Sequence, residues 1–274
     1  MNEKKLRLGL VGKDVSKSNS ERIHRFILNE FEVDCEYERF SIPSEELDNT
    51  MRRLLGDFDG FNVTIPYKRD IMEYLDEIVG DALRFGAVNT VVTATESGYA
   101  AGYNTDGEGF MQMLRAANIE VKDKKILILG GGGSGRSTAA TLKKHGAQIY
   151  MYQRRRAELE ETCTQLDITP ADNPESGEYD ILINCTGVGM HDTEGISPVS
   201  QKAFDGANVA IDLIYKPKES EFLRLARMCG LQTLNGAAML FYQAYYADCL
   251  FLGKQHSSKQ AEEFYQKYQE KYEI

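Results

Sequence analysis

The sequence predicts an α/β protein built from two α/β domains. Strand-like apolar runs alternate with helix-like stretches from the N-terminal region onward, which favours parallel sheets. A hairpin-like segment at 87–104 interrupts this alternation, and a second βα series begins after it. A length of 274 residues accommodates two such domains. The natural place for a functional site is therefore the cleft between them.

The expected elements follow one another in two series. In the first series, strands are predicted at LRLGLVG (6–12), CEYERFS (35–41) and FDGFNVT (58–64), and helices at 20–31 and 44–55. In AVNTVVTATESGYAAGYN (87–104), two β-rich runs flank Glu96, Ser97 and Gly98, which predicts a hairpin. In the second series, strands are predicted at 124–130, 147–152, 179–185 and 207–214, and helices at 134–145, 156–165, 219–229, 236–253 and from residue 258 onward.

The composition argues against several classes of protein. The formal net charge is −10, from 42 acidic and 32 basic residues, whereas a nucleic-acid-binding protein usually carries a basic excess. Five cysteines without a CxxC pair and four scattered histidines favour reduced thiols in the cytoplasm over a disulfide framework or a metal site. The apolar run at 236–253 is too short to span a bilayer. The N-terminal MNEKKLRLGLVGK has only a five-residue apolar stretch, broken by glycine, which is too short for a signal peptide. We therefore expect a cytoplasmic protein that uses neither a metal, a membrane nor a nucleic acid.

The clearest motif of the second series is a glycine-rich turn with the pattern GxGxxG. It lies directly after a predicted strand and opens a predicted helix. In this context glycines permit a tight turn and a close backbone approach to a pyrophosphate at the helix N-terminus. The predicted dinucleotide-binding residues of the turn are Gly130, Gly131, Gly132, Gly133, Ser134 and Gly135. A flexible glycine loop without a ligand is the alternative.

The end of the next predicted strand favours NADP over NAD. An NAD-binding domain usually places a carboxylate there to bind the ribose hydroxyls. This chain instead has Gln153, Arg154, Arg155 and Arg156, and its first acid is Glu158. Guanidinium groups suit a 2′-phosphate through charge-assisted hydrogen bonds, and no carboxylate within the run repels it. A solvated helix start is the alternative interpretation.

The position of Lys68 needs an explanation. In GFNVTIPYKRD (60–70), Thr64 and Pro66 are typical of a helix start, which predicts Lys68 near the first turn of a helix. A helix N-terminus and the neighbouring Arg69 both disfavour an ammonium group there. We therefore expect Lys68 to have a carboxylate partner and a role beyond that of a solvated surface lysine.

Seven sequence blocks resemble those of the shikimate dehydrogenase family, in the family's order. They are NVTIPYK (62–68), GAVNT (86–90), NTDGEGF (104–110), the glycine-rich turn, NCTGVGM (184–190), DLIYKP (212–217) and NGAAMLFYQ (235–243). The resemblance covers nearly the whole chain, and blocks in register are more specific than any single motif.

The resemblance implies both a domain organisation and a reaction. Residues 1–105 with 238–274 would form a substrate domain with a mixed, mostly parallel sheet, and residues 106–237 an inserted Rossmann-type NADP-binding domain. The reaction would be the reversible NADPH-dependent reduction of 3-dehydroshikimate to shikimate in chorismate and aromatic amino-acid biosynthesis, by a monomer or a homodimer. Lys68 would move the proton of the reacting oxygen, and Asp106 would orient Lys68 and the substrate hydroxyls.

The resemblance also assigns the remaining binding residues. The substrate-binding residues would be Ser18, Ser20, Asn62, Thr64, Lys68, Asn89, Asp106, Tyr215 and Gln243. Besides the glycine-rich turn, the cofactor-binding residues would be Gln153, Arg154, Arg155, Cys185, Thr186, Val188, Ile214, Gly236 and Met239. Cys185 is not expected to be a nucleophile, because no motif holds a histidine partner for it.

The end that would bind the substrate carboxylate departs from the family pattern. Ser18 and Ser20 occupy the S-x-S of the family, ahead of a helix start that suits an anion. Asp14, Lys17 and Glu21 stand where proline, histidine and proline are common in the family. Ser18 and Glu21 also satisfy the pattern of a capping box, which is the alternative use of the Ser18 hydroxyl.

Two alternative functions stay open. One is a quinate/shikimate dehydrogenase that uses NAD, for which the departures around Ser18 leave room, although the arginine run argues against NAD. The other is a non-catalytic sensor of a shikimate-like ligand, against which the presence of both Lys68 and Asp106 speaks.

Overall fold

The computed structural model describes residues 5–94 and 97–272. The chain divides into two compact units: the first unit is Met1–Gln112 with Leu240–Ile274, and the second unit is Met113–Met239. The two units have separate hydrophobic cores. Phe58, Phe61 and Tyr67 lie at the centre of a core in the first unit, and Phe204 and Phe222 belong to the core of the second.

The first unit is organised around a six-stranded mixed sheet. Its strands are β1 (Leu6–Gly12), β2 (Cys35–Ser41), β3 (Gly60–Val63), β4 (Glu77–Ile78), β5 (Thr90–Ala94) and β6 (Tyr99–Tyr103), and its helices include α1 (Ser20–Glu30), α2 (Leu47–Asp57) and α3 (Asp81–Phe85). The strand order is β2-β1-β3-β5-β6-β4. β1 is parallel to β2 and β3, β4 is parallel to β6, and β5 is antiparallel to both its neighbours.

The second unit is organised around a six-stranded sheet in which every described strand pair is parallel. It follows α4 (Asp106–Ala116) and contains β7 (Lys125–Leu129), α5 (Gly133–Lys144), β8 (Gln148–Tyr152), α6 (Arg156–Leu166), β9 (Thr169–Pro170), β10 (Ile181–Asn184), β11 (Val209–Asp212), α7 (Glu221–Met228) and β12 (Gln232–Asn235). The order β12-β11-β10-β7-β8-β9 is that of a Rossmann fold, in which β7 is the first strand and the order reverses beside it. β10 and β11 are buried along their whole length, as expected for parallel strands covered on both faces.

Two helices connect the units. α4 leaves the first unit, and α8 (Ala237–Phe251) returns to it and is followed by α9 (Ser258–Tyr272). The division between the units falls within α4 and within α8. The domain boundaries that the sequence predicts, at 105/106 and 237/238, lie at the starts of these two helices. In the described part of the chain, no helix combines the length and the apolarity needed to cross a membrane.

The structure confirms the predicted α/β class and most of the predicted elements. The hairpin expected at 87–104 is present as the antiparallel pair β5 and β6. Of its expected turn, Glu96 lies outside the described residues. The sequence did not predict α3, α4 or the short strands β4, β9 and β12. α4 begins with DGEG, and two glycines in a first turn lower helix propensity. The sequence pattern therefore did not indicate a helix at this position.

One local prediction is wrong. The chain does not start an α-helix after Thr64, because residues 65–69 form a turn with a cis Ile65–Pro66 peptide bond, followed by a short 3₁₀ helix, Asp70–Tyr74. Lys68 therefore lies in this turn and not in the first turn of an α-helix of its own. The explanation for its position has to come from its side-chain contacts.

α4 and α8 approach each other closely at Gly109. A Cβ atom added there would lie 2.6 Å from the backbone nitrogen of Gln243, which is closer than real Cβ contacts. Only glycine therefore allows the first turns of α4 to lie against α8. This contact places Gln243 beside the N-terminal end of α4, where Asp106 begins the helix.

We predict opposite effects on stability for two glycine-to-alanine substitutions in helices. Gly109→Ala destabilises the protein by about 2 kcal/mol, because the backbone of α8 blocks the new methyl group. Gly56→Ala in α2 is the matched control: a Cβ atom there meets nothing within 4 Å, so the higher helix propensity of alanine stabilises the protein by up to about 1 kcal/mol. Urea unfolding measures both, and a Gly109→Ala protein as stable as the parent would contradict the close approach.

Candidate active site

The turn that carries Lys68 is held by its neighbours. Tyr67 is fully buried, and its hydroxyl donates a 2.6 Å hydrogen bond to the carbonyl oxygen of Ile42. The backbone amide of Val88 donates to the carbonyl oxygen of Lys68 at 2.7 Å. A buried anchor on one side and a backbone bond on the other fix the direction in which the Lys68 side chain leaves the turn.

Lys68 has the carboxylate partner that its position called for. Its Nζ lies 2.6 Å from Oδ2 of Asp106, and the two side chains are 21% and 13% exposed. Asp106 is the first residue of α4, where the helix N-terminus favours a negative charge. Its backbone amide donates to Oδ1 of Asn104 at 3.1 Å. An ammonium and a carboxylate that are largely withdrawn from water form a stronger and better-defined pair than an exposed one.

Asn89 orients the carboxylate of Asp106. Nδ2 of Asn89 donates to Oδ1 of Asp106 at 2.9 Å and to Oγ1 of Thr105 at 3.0 Å, and its third acceptor is Oε1 of Gln243 at 3.4 Å. Oδ1 of Asn89 accepts the backbone amide of Thr105 at 2.8 Å. The amide of Gln243 donates to the carbonyl oxygen of Leu240. The two oxygens of Asp106 therefore have separate partners, Lys68 and Asn89.

Asn62 is buried next to Asn89, and both ends of its side chain are bonded. Oδ1 accepts the hydroxyl of Tyr37 at 3.3 Å, and Nδ2 donates to Oγ1 of Thr90 at 3.2 Å. These bonds tie β3 to β2 and β5. Thr64 is half-buried at the start of the turn, and its amide donates to the carbonyl oxygen of Val11. Sequence reasoning missed Tyr37 and Thr90, because an aromatic residue and a threonine in strands are typical of ordinary core positions.

The structure places Ser18 and Ser20 together at the start of α1. The Oγ of Ser18 donates to the Oγ of Ser20 at 3.1 Å and accepts the backbone amide of Ser20 at 3.2 Å. The capping box is not formed, because the N-cap residue of α1 is Asn19. Glu21 instead pairs with Arg25 at 3.1 Å and with Arg39 at 3.3 Å.

Two of the three departures from the family pattern therefore have charge partners or bonds of their own. Two arginines compensate the negative charge of Glu21. Glu21 therefore places no unpaired negative charge beside Ser18 and Ser20. Asp14 accepts the hydroxyl and the backbone amide of Ser16, and these bonds lower the pKa of Asp14. Lys17 is exposed next to Ser18.

The glycine-rich turn of the second unit fits a pyrophosphate. Gly130 has a φ of 101°, which favours glycine, and a Cβ atom at Gly135 would lie 1.9 Å from the carbonyl oxygen of Gly130. Gly132 is the N-cap of α5 and supplies no side chain to the helix end. A Cβ atom at Gly132 or Gly133 would meet nothing within 4 Å. The first turn of α5, which includes Ser134, is thus open to an anion that approaches the backbone closely.

The arginine run after β8 differs from the sequence prediction in one respect. Glu158, which sequence reasoning left outside this site, accepts from Nε2 of Gln153 at 3.0 Å and pairs with Arg155 at 2.6 Å. Arg156 begins α6 and pairs with Glu160 at 2.7 Å. Arg154 is exposed. A carboxylate therefore does reach the end of β8, and it competes for Arg155 with any phosphate bound there.

The other predicted cofactor residues follow β10 and β11. Thr186 and Val188 lie in the loop after β10, where the Thr186 Oγ1 accepts the amide of Val188 at 3.1 Å. Ile214 follows β11, and its carbonyl oxygen accepts the amide of Gly236 at 3.2 Å. Burial raises the pKa of Cys185 to about 12, which keeps its thiol protonated and inert.

Tyr215 and Met239 complete the predicted set. Both are half-buried and belong to the second unit. Burial raises the pKa of Tyr215, so its hydroxyl stays protonated. In the described residues, no group of three or more His, Cys, Asp or Glu side chains is placed to hold a metal ion.

The fold and these residues define a class of protein. A parallel sheet with the Rossmann strand order, an open glycine-rich turn and a separate lysine–carboxylate pair are together typical of dinucleotide-dependent dehydrogenases. A family model described as "Shikimate dehydrogenase substrate binding domain" matches residues 10–91.

Known proteins resemble the chain over most of its length. A curated "Shikimate dehydrogenase (NADP(+))" from Caldanaerobacter subterraneus subsp. tengcongensis is 37% identical over 260 residues, covering 90% of this chain and 91% of that protein. A chorismate mutase/shikimate 5-dehydrogenase fusion protein from Clostridium acetobutylicum is similar in structure, with a TM-score of 0.90, 32% identity, and coverage of 99% of this chain and 100% of that chain. The Thermus thermophilus shikimate 5-dehydrogenase in complex with NADP(H) and shikimate has a TM-score of 0.88 and 31% identity, over 96% of this chain and 99% of that one. The chain belongs to the shikimate dehydrogenase family, which confirms the resemblance seen in its sequence.

We predict that Cys185 resists alkylation in the folded protein. The thiolate is the reactive form, and a pKa of about 12 leaves almost none of it near neutral pH. The rate of carbamidomethylation at Cys185, followed by peptide mass spectrometry, should be low near neutral pH and rise continuously toward alkaline pH, and unfolding in urea should abolish the protection. A rate that reaches a plateau near neutral pH would identify a reactive thiolate and contradict this prediction.

Proposed function

We propose that this chain is an NADP-dependent oxidoreductase, a shikimate dehydrogenase that catalyses the reversible reduction of 3-dehydroshikimate to shikimate. The observation that carries the proposal is the 2.6 Å ion pair of Lys68 and Asp106, whose second carboxylate oxygen is held by Asn89. Relatives that cover nearly the whole chain are named for this activity, and the solved structure from Thermus thermophilus contains both NADP(H) and shikimate.

Lys68 is the proposed proton-transfer group. NADPH, when bound, supplies the hydride for the carbonyl carbon of the substrate. Lys68 gives a proton from Nζ to the carbonyl oxygen and takes another from solvent, and in the reverse direction it accepts the proton of the hydroxyl. Asp106 keeps the ammonium oriented toward the reacting oxygen, and Asn89 keeps Asp106 from turning away. The substrate is a small molecule with groups that these polar side chains bind.

The remaining substrate contacts are proposed from the family and supported by the local geometry. The paired hydroxyls of Ser18 and Ser20 at the start of α1 suit the substrate carboxylate, while Thr64, Asn89 and Gln243 suit its ring hydroxyls. Asn62 is already bonded at both ends, so its proposed part is to hold Asn89 and Thr90 in place beside the substrate. Tyr215 is proposed to contribute its protonated hydroxyl near the carboxylate.

The two units are proposed to divide the work. The first unit binds the substrate, as the family match at residues 10–91 supports, and the second unit binds NADP. The proposed cofactor residues are those of the glycine-rich turn, then Gln153, Arg154 and Arg155, and those of the loops after β10 and β11, with Gly236 and Met239. We also propose a cytoplasmic location, a monomer or homodimer, and no role for nucleic acid, in accord with the acidic charge and unpaired cysteines.

NAD is the cofactor of the alternative proposal, and one observation favours testing it. Glu158 holds Gln153 and Arg155 at the end of β8. A carboxylate at this place is the feature that NAD-binding domains use. Rates with NADP and NAD, each with shikimate and with quinate, separate the two proposals.

We predict that Lys68→Ala lowers kcat by about 10²–10⁴-fold, because the proton-transfer group is lost. The assay follows reduced nicotinamide absorbance with shikimate and NADP. Lys143→Ala is the matched control, since Lys143 also lies 2.6 Å from a carboxylate, that of Asp167, but in the second unit. A Lys68→Ala protein with the kcat of the parent would contradict the proposed proton-transfer role of Lys68.

We predict that Arg154→Ala raises the KM for NADP by about tenfold and leaves the KM for NAD unchanged, because one charge-assisted bond to the 2′-phosphate is removed. Arg156→Ala is the control, since Arg156 is already paired with Glu160 and Asp172. An equal change in the KM for NADP and in the KM for NAD would show that Arg154 does not bind the 2′-phosphate.

A further inference from the structure

Three polar side chains are buried behind the loops that follow β10 and β11. Asn184 and Asp212 are fully buried, and Ser220 is 1% exposed. None of them has a part in the proposed chemistry. A carboxylate at the end of a parallel strand, withdrawn from water, is costly to bury unless its oxygens accept hydrogen bonds. The hydrogen bonds of the Asp212 carboxylate therefore indicate its role in the protein.

Asp212 holds the loop after β11 directly. Its Oδ1 accepts the backbone amide of Ile214 at 3.0 Å, and its Oδ2 accepts the hydroxyl of Ser220. Ser220 is in turn the N-cap of α7 and accepts the amide of Leu223 at 3.3 Å. Burial raises the pKa of Asp212, while these bonds oppose the rise.

Asp212 also sets the orientation of Asn184. Nδ2 of Asn184 donates to Oδ1 of Asp212 at 3.1 Å and to the carbonyl oxygen of Val188 at 3.2 Å. Its Oδ1 accepts the amide of Thr186 at 3.0 Å and the hydroxyl of Thr186 at 2.6 Å. Oδ1 of Asp212 acts as an acceptor toward the amide of Ile214, so it selects the Asn184 orientation in which Nδ2 faces it and Oδ1 faces the loop. A flipped Asn184 would put two acceptors together and release Thr186.

We propose that Asp212 is a positioning residue for the cofactor: through Asn184 and through the amide of Ile214, one carboxylate fixes both loops that carry Thr186, Val188 and Ile214. The proposal rests on the proposed function, because those three residues are cofactor contacts only if the second unit binds NADP. Asp212 does not touch the cofactor itself. Asp212 fixes the conformation of the two loops before NADPH binds. The entropic cost of ordering these loops is therefore not subtracted from the free energy of binding.

The test measures NADPH binding directly, by the fluorescence of the reduced nicotinamide, which the absence of tryptophan from the chain leaves free of indole emission. Asp212→Ala should raise the Kd for NADPH by about tenfold or more, because Asn184 loses its orienting partner and the Ile214 amide its acceptor. Asp212→Asn should keep the Kd for NADPH within about threefold of the parent value. The side-chain amide oxygen of the new asparagine can still accept from Nδ2 of Asn184 and from the backbone amide of Ile214. The KM for shikimate should change little in either variant.

Asp180→Ala is the matched control. Asp180 is also a carboxylate of the second unit that accepts a backbone amide, that of Lys125 at 2.8 Å, but it precedes β10 rather than following it. It should lower the melting temperature without changing the Kd for NADPH. A Kd change as large as that of Asp212→Ala at an equal loss of melting temperature would reduce Asp212 to a general structural role and overturn the proposal.

Asn184→Asp keeps the proposal testable if Asp212→Ala does not fold. It replaces the donor that faces Asp212 by a second acceptor and nearly preserves side-chain volume, so it should also raise the Kd by about tenfold. A folded Asp212→Ala or Asn184→Asp protein that binds NADPH as tightly as the parent would overturn the proposal while leaving the proposed function intact. A parent protein that does not bind NADPH would instead refute the proposed function.

Discussion

The ion pair of Lys68 and Asp106 depends on the way in which one buried amide is used. Asn89 donates to Asp106 and accepts from the backbone of Thr105, so it fixes the carboxylate and the start of α4 together. The carboxylate can then hold the ammonium of Lys68, which a turn rather than a helix presents. The position of Lys68 is explained by this partner: no α-helix begins at the lysine itself, and the carboxylate of Asp106 compensates the ammonium beside the start of α4.

The second unit uses the same arrangement at a different place. A buried asparagine there also donates to a carboxylate oxygen and accepts from the backbone of the following loop. In both cases the carboxylate removes the two-fold ambiguity of the amide group. Asn89, which precedes β5, then fixes residues that follow β6, and Asn184, the last residue of β10, fixes the loop after its own strand. Two α/β units with different sheets have thus reached the same solution for fixing a loop at the carboxyl end of a strand.

Much of this could be predicted from the sequence, and the failures have physical reasons. Continuous apolar strands and the glycine-rich turn identified the Rossmann unit. Strands that are buried on both faces require runs of apolar residues, and a close backbone approach requires glycine, so both features are visible in the sequence. α4 was missed because two glycines in its first turn lower helix propensity, although Gly109 is required for the close contact with α8. Tyr37 was not singled out because a hydrogen bond between strands leaves no pattern in one strand. Glu158 was placed outside the cofactor site because a side chain's direction at a helix start cannot be read from its position.

The helical connections described above have a consequence for dissecting the protein. Both junctions between the units fall inside a helix, one within α4 and one within α8. A recombinant fragment limited to either unit would therefore be cut inside two helices, which would leave backbone amides and carbonyls without their intrahelical partners. Excising the Rossmann unit as a transplantable module requires all of α4 and α8 to stay with it, including Asp106 and Gln243, which belong to the first unit.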